Sequence, residues 1–261
     1  MTVTAPQTNA AACILRDPCR TSTDPTVCTR LCPHFIAVHG ASGTGGRVAA
    51  AAIPADYRQV TVANSVARAE QAKAYAIVDA YVATFDRMFS DGPDADRIKS
   101  LYLYSREPGT GKTTTAAAIA NTYLVRHYIG SLQRNRRPLE RPVYFLDVNE
   151  WQTLFNRITL SVGDGAKKSV SDEFQRRMDN AMYAPFAVID DVGVRSATEA
   201  FRSYMHAVIN HRVTNRLPTV YTSNVPIEEL AQVFDARLAD RVWDQCAVVP
   251  FVGESKRGMR R

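Results

Sequence analysis

The chain contains no run of about 18 apolar residues, so a membrane-spanning helix is not expected. Its opening residues, MTVTAPQTNAAACILRD, also lack the basic start and apolar stretch of a secretory signal. Both absences lead to the expectation of a cytoplasmic protein, a compartment where disulfides are rare. No internal repeat or low-complexity tract stands out. A strong charge bias is missing too: the net charge of +6 and pI near 9.1 permit a nucleic-acid partner without requiring one. Cysteine is scarce, with five residues in 261, yet Cys13, Cys19, Cys28 and Cys32 all fall near the start. What is present otherwise, 46% hydrophobic and 22% charged residues, is ordinary for a globular protein of one or two domains.

Short apolar runs alternate with longer amphipathic stretches after residue 98, the pattern of a parallel α/β sheet. LYLY (101–104), VYFLD (143–147), FAVID (186–190), TVYTSN (219–224) and CAVVPFV (246–252) read as five strands. Helices are expected over 112–128, near 149–160, 171–183 and 197–214, and in two short pieces near 226–233 and 235–243. Upstream, Tyr75, Val78, Tyr81, Val82, Phe85 and Met88 form one helical stripe, ended by DGPDAD (91–96). HGASGTGGRVAAAAIPADYRQ, rich in Gly and Ala, reads as a linker or extended segment.

One glycine is missing where a phosphate-binding loop would put it. SREPGTGKTTT (105–115) fits the second half of G-x-x-x-x-G-K-[ST], but Arg106 occupies the first glycine position. The tight turn lies at Pro108, Gly109, Thr110 and Gly111, and a strand precedes it while a helix follows. That context predicts a working loop, because a helix N-terminus offers unpaired N–H groups and a positive dipole end to phosphate. Lys112 would neutralise phosphate charge and the Thr113 hydroxyl would bind Mg²⁺, with Thr114 as the substitute if the register slips by one. FAVIDDVG (186–193) is an apolar strand ending in two carboxylates. Asp190 would hold the metal through water and Asp191 would polarise the attacking water. Asn224, closing the TVYTSN strand, could orient that water. Arg237 and Arg241 lie four apart on one short helix, where an arginine could complete a neighbouring subunit's site.

In this order these motifs resemble the DnaC/DnaI/IstB group of AAA+ ATPases. IPADYR (53–58) is similar to the group's segment preceding the core, PGTGKTTTAAAIAN (108–121) to its Walker A and AVIDDVG (187–193) to its Walker B. TVYTSN resembles its sensor-1 strand and ARLADR (236–241) its box VII, whose terminal arginine makes Arg241 the first finger candidate and Arg237 the second. VGESKR (252–257) resembles the closing element, which implies Arg257 as a sensor-2 residue at the nucleotide. The implied fold is an α/β P-loop NTPase with a five-stranded parallel sheet flanked by helices, over 99–261. A Cys-rich module (1–50) and a linker with one helix (51–98) would precede it. The resemblance implies an ATP- and Mg²⁺-using loader of a replicative DNA helicase, with a hexameric helicase and single-stranded DNA as partners. It also implies an ATP-dependent homo-oligomer, a ring or spiral. Asp191 is one methylene shorter than the glutamate of most AAA+ motors, so a slow ATPase acting as an assembly switch is expected. A transposition ATPase of the IstB kind, or an adaptor that binds nucleotide without turnover, are the other readings.

The cysteine spacing, C-x₅-C-x₈-C-x₃-C, is not the paired C-x₂-C form. Four thiolates could close a zinc site; an iron–sulfur cluster or unliganded thiols are alternatives, and His34 could replace one cysteine. The resemblance implies that such a module binds the helicase. Cys246 reads as a buried small apolar residue. Residues 126–141, RHYIGSLQRNRRPLER, carry five arginines against one glutamate, which suits either DNA phosphates or a solvated loop.

Overall fold

A computed structural model describes residues 8–90, 97–160, 164–193 and 197–255. Five strands form one wholly parallel sheet: β1 (Ser100–Tyr104), β2 (Val143–Asp147), β3 (Phe186–Asp190), β4 (Thr219–Ser223) and β5 (Cys246–Pro250). Their spatial order is β2-β3-β4-β1-β5. Side chains alternate across the sheet, as a strand's period of two demands. Leu101, Leu103, Val143, Phe145, Phe186 and Val188 enter one core, while Tyr102, Tyr144, Leu146, Ile189 and Tyr221 enter the other. Because both faces are covered, the strands read in the sequence as near-continuous apolar runs.

The first face is covered by α3 (Ala72–Val82) and α4 (Lys112–Gln133). Ala116, Ala117, Ala118 and Ala120 of α4 are fully buried, and their small side chains let this helix lie close to the strands. The second face carries α5 (Val148–Leu160), α6 (Asp164–Tyr183), α7 (Glu199–Thr214) and α8 (Ala236–Gln245). The starts of α7 and α8 are set by side-chain caps: Thr198 Oγ1 accepts from the Phe201 N–H at 3.3 Å and Asp235 Oδ1 from the Leu238 N–H at 2.9 Å. No helix among the described residues is long and apolar enough to cross a membrane.

Three expectations need correction. The helical stripe of 75–88 is not one α-helix; it tightens after Val82 into a 3₁₀ turn over Ala83–Phe89. The Gly/Ala-rich segment, which follows α1 (Pro33–His39), is not extended throughout, since Gly46–Ala50 forms α2 and Ala55–Tyr57 a 3₁₀ turn. There the Ala51 carbonyl accepts from the Phe145 N–H at 2.8 Å, which covers the exposed edge of β2. Finally, α4 runs to Gln133, so the first half of the basic stretch is helix rather than loop. Its second half does not project freely: Arg47 of α2 donates to the Leu139 carbonyl at 2.8 Å and the Pro138 carbonyl at 3.0 Å. Arg134 lies over the Phe89 ring at 4.3 Å, and Arg126 sits 3.7 Å from Asp86. The expected terminator DGPDAD falls outside the described residues.

The N-terminal segment is packed onto the α/β core. Ile14, Leu15, Val38 and Val48 join the same apolar cluster as Leu124 and Tyr128 of α4. IPADYR is fixed by Asn121 of α4, whose buried Nδ2 donates to the carbonyls of Tyr57 (2.7 Å) and Val60 (2.8 Å). Cys13, Cys19, Cys28 and Cys32 are free and half-buried. Among the described residues no three Cys, His, Asp or Glu side chains converge closely enough to hold one metal ion. The closed zinc site anticipated from the sequence is therefore not shown.

Candidate functional site

The candidate site lies where β1 hands over to α4. Between them the chain turns through Gly109 (φ 73°) and Gly111 (φ 99°), both in the left-handed region that favours glycine. Arg106 stands at the loop's shoulder, 75% exposed, with Nε donating to the Tyr104 hydroxyl at 3.1 Å and Nη2 3.7 Å from Glu229. A glycine is not required there, because the sharp backbone begins three residues later. Lys112 Nζ donates to the carbonyls of Glu107 (3.0 Å) and Ser105 (3.2 Å), so the loop is wrapped around the ammonium that a phosphate would claim. Gln71 braces the loop from outside, donating through Nε2 to the carbonyls of Thr110 (3.2 Å) and Val252 (2.6 Å).

Parallel register delivers the ends of β2, β3 and β4 beside this loop, and with them a set of carboxylates and hydroxyls. Thr113 Oγ1, one residue into α4, donates to Asp190 at 3.1 Å from Oδ1 and 3.2 Å from Oδ2. Thr114 is buried within the helix, and Thr113 is the hydroxyl that faces the strand end. Thr222 Oγ1 of β4 donates to Asp190 Oδ1 at 2.6 Å and accepts the Asp191 N–H at 2.9 Å. The Asp191 carboxylate in turn accepts from Asn149 Nδ2 at 2.9 Å. One continuous network thus joins Thr113, Asp190, Thr222, Asp191 and Asn149.

The electrostatics of this network follow from burial. Asp190 is 6% exposed, and burial pushes its pKa up to about 6. The hydroxyls of Thr222 and Thr113 oppose that rise, while Asp147 and Asp191 add to it. Asp147 pairs in register with Asp190 across β2 and β3, and burial raises its pKa as well. Carboxyl groups withdrawn from water near one another disfavour each other's charged forms. Asp191 carries φ 63°, a left-handed backbone that costs a non-glycine residue on the order of 1 kcal/mol and is best tolerated by Asp and Asn. Asn224 is exposed at the end of β4 and lies against Gly193: a Cβ on that glycine would stand 2.6 Å from Asn224 Oδ1.

The predicted arginines do not join this network. Arg241 of α8 donates to Asn210 Oδ1 at 2.7 Å and Thr214 Oγ1 at 2.9 Å, both on α7, while Arg237 is exposed. Arg257 lies outside the described residues. Sequence reasoning passed over Thr222, Asn149, Asp147 and Gln71. Asp147 was within reach, since VYFLD ends in a carboxylate just as FAVID does. Nothing in the local pattern marks Asn149 or Gln71.

Comparison with known proteins bears on the same elements. Residues 96–261, more than half of the chain, match the family described as IstB-like ATP binding protein. The replicative helicase loader DnaI of Bacillus subtilis is 26% identical over 173 residues, which cover 61% of this chain and 48% of that protein. The replicative helicase loader DnaC of Escherichia coli K12 is 23% identical over 141 residues, 54% of this chain and 49% of its own. The chain thus spans about half the length of these curated relatives. The crystal structure of DnaI superimposes with a TM-score of 0.50 at 20% identity, covering 76% of this chain and 94% of that one, a likeness of fold. The chain belongs to the IstB-like ATP-binding family, within the DnaC/DnaI/IstB group of AAA+ ATPases.

Proposed function

We propose that this protein is an ATP-dependent loader of a replicative DNA helicase, working as a slow ATPase whose nucleotide state switches its assembly. The observation that carries the reading is the network from Thr113 through Asp190 and Thr222 to Asp191 and Asn149, which ties the phosphate loop to the adjoining strand ends. The helicase as partner is supported by the loaders among its relatives.

The chain's own groups divide the work as follows. Lys112 exchanges its two carbonyl partners for phosphate oxygens when nucleotide enters, and the N–H groups from Gly109 onward cradle the same phosphates. Thr113 and Asp190 form the oxygen donor set suited to Mg²⁺, with Asp147 adding negative charge nearby. When bound, the ion would neutralise charge on the phosphate oxygens. Asp191 polarises the attacking water and Asn224 orients it. Asn149 Nδ2 donates to the Asp191 carboxylate and so restrains the group that polarises the water. A short aspartate under such restraint suits a timing device better than a motor. Arg241 acts on the nucleotide of a neighbouring subunit, Asn210 and Thr214 setting the direction of its guanidinium.

Pulldown of a hexameric replicative helicase by the full chain, with and without ATP, tests the reading. ATP-dependent capture that Lys112→Ala abolishes is the expected result. Capture of a transposase instead would favour the second reading, an IstB-like transposition regulator. Unaltered assembly and turnover in both Lys112→Ala and Asp191→Asn would leave only a nucleotide-binding adaptor.

A further inference from the structure

The four N-terminal cysteines share one place. Cys13, Cys19, Cys28 and Cys32 all line a cavity of about 540 Å³ whose opposite wall is formed by Tyr128, Ile129 and Leu132 of α4. Burial raises the pKa of Cys13; the Leu15 N–H aimed at its sulfur opposes this, and the proximity of Cys28, Cys19 and Cys32 raises it further. Four free thiols around a hollow are an unusual feature in a chain whose remaining cysteine, Cys246, lies in β5.

Two facts discriminate between ligands. A single zinc ion with Zn–S bonds of about 2.3 Å draws four sulfurs to within about 3.8 Å of one another and leaves no space between them. Here no three such side chains among the described residues converge on a point, and all four cysteines line one cavity. An iron–sulfur cluster meets both conditions, because its own iron and sulfide atoms stand between the ligating cysteines. His34, also on the cavity wall, engages the Tyr128 hydroxyl through Nδ1 at 3.0 Å. Leu15, Val27 and Phe35 supply the apolar lining that shields a cluster, and Arg16 and Arg20 bring positive charge to it.

We infer that Cys13, Cys19, Cys28 and Cys32 hold a [4Fe–4S] cluster between the N-terminal segment and the last turns of α4. On ligation each thiol releases its proton to solvent as its sulfur bonds one iron. Four thiolates around a [4Fe–4S]²⁺ core leave a net charge of −2, partly offset by the two arginines.

Metal and sulfide analysis of the full chain, purified without oxygen and again after reconstitution with ferrous iron and sulfide, tests this. The expected content is about four iron and about four acid-labile sulfide per chain with negligible zinc. Visible charge-transfer absorbance should bleach on one-electron reduction by dithionite, with an EPR signal appearing. Alanine in place of Cys28 or Cys32 should lose the cluster, while Cys246→Ala and Lys112→Ala should retain it; the latter separates this inference from the ATPase reading. About one zinc per chain with no labile sulfide would overturn it, as would cluster content indifferent to Cys28→Ala and Cys32→Ala. Should those variants fail to fold, the wild-type iron, sulfide and zinc content decides alone.

Discussion

Asp190 shows how a single buried carboxyl sets both the chemistry and the pH behaviour of the site. Its pKa is raised from 3.8 to about 6, so between those values the folded chain binds a proton that the unfolded chain has released. Stability of the metal-free protein is therefore fullest below the lower value and is lost as pH rises through the upper one, by roughly 3 kcal/mol at most. Asp190→Asn should raise the melting temperature of metal-free protein at pH 8 and leave it little changed near pH 4, in paired thermal denaturation scans. Mg²⁺ competes with the same proton, so its affinity should weaken below about pH 6 in a titration of wild type. Asp191 presents a different problem, since its left-handed backbone and its carboxylate are both candidates for function. Asp191→Asn keeps a residue that tolerates that backbone and removes only the charge. Turnover should fall about 100-fold, the usual weight of a general base, with ATP binding retained in equilibrium dialysis.

Among the elements, the strands were legible in the sequence as short apolar runs bounded by turn residues, β1 to β4 because they are buried on both faces; FAVID matches β3 residue for residue. The phosphate loop was legible because strand, glycines and helix follow in order, so Arg106 did not obscure it. Element ends were less so. The basic composition of 126–141 suggested a loop, but Tyr128 and the carbon chain of α4 continue to bury apolar surface as far as Ser131. Arg212 of α7 had no signal at all, yet it is fully buried. Its guanidinium donates to Thr219 Oγ1 (2.7 Å) and to the carbonyls of Ala181 (2.7 Å), Ala184 (2.9 Å) and Pro218 (2.9 Å). It thereby joins the end of α6 to the start of β4, connections that no local pattern encodes. Arg212→Ala leaves those acceptors unpaired in the interior and should cost about 3–5 kcal/mol in urea unfolding. Arg212→Lys should recover little, since an ammonium cannot span the same fan of acceptors. Gly193 is the corresponding constraint at the Walker B turn. Alanine there drives into Asn224 and should slow turnover while sparing nucleotide affinity, a kcat loss without a KM change.

At the scale of the whole molecule, the proposed arginine finger stands apart from the groups that one chain brings together. Lys112, Thr113, Asp190, Asp191 and Asn149 are brought together by the sheet's own register. Arg241 is instead oriented by Asn210 and Thr214 on the α7–α8 face. If that face meets the phosphate loop of a second copy, each nucleotide is served by two chains, and turnover depends on assembly. Arg241→Ala should then bind ATP like wild type but lose about 1,000-fold in assembled turnover, the scale of an arginine finger. Lys112→Ala should be equally inactive for the opposite reason, its own loop being defective while its arginine is intact. Mixing the two variants places some Arg241→Ala loops beside intact arginines of Lys112→Ala chains. Partial recovery of phosphate release in the mixture, absent from either variant alone, is the expected outcome. A mixture as inactive as its components, under conditions where the two chains co-assemble, would place Arg241 outside the neighbour's site.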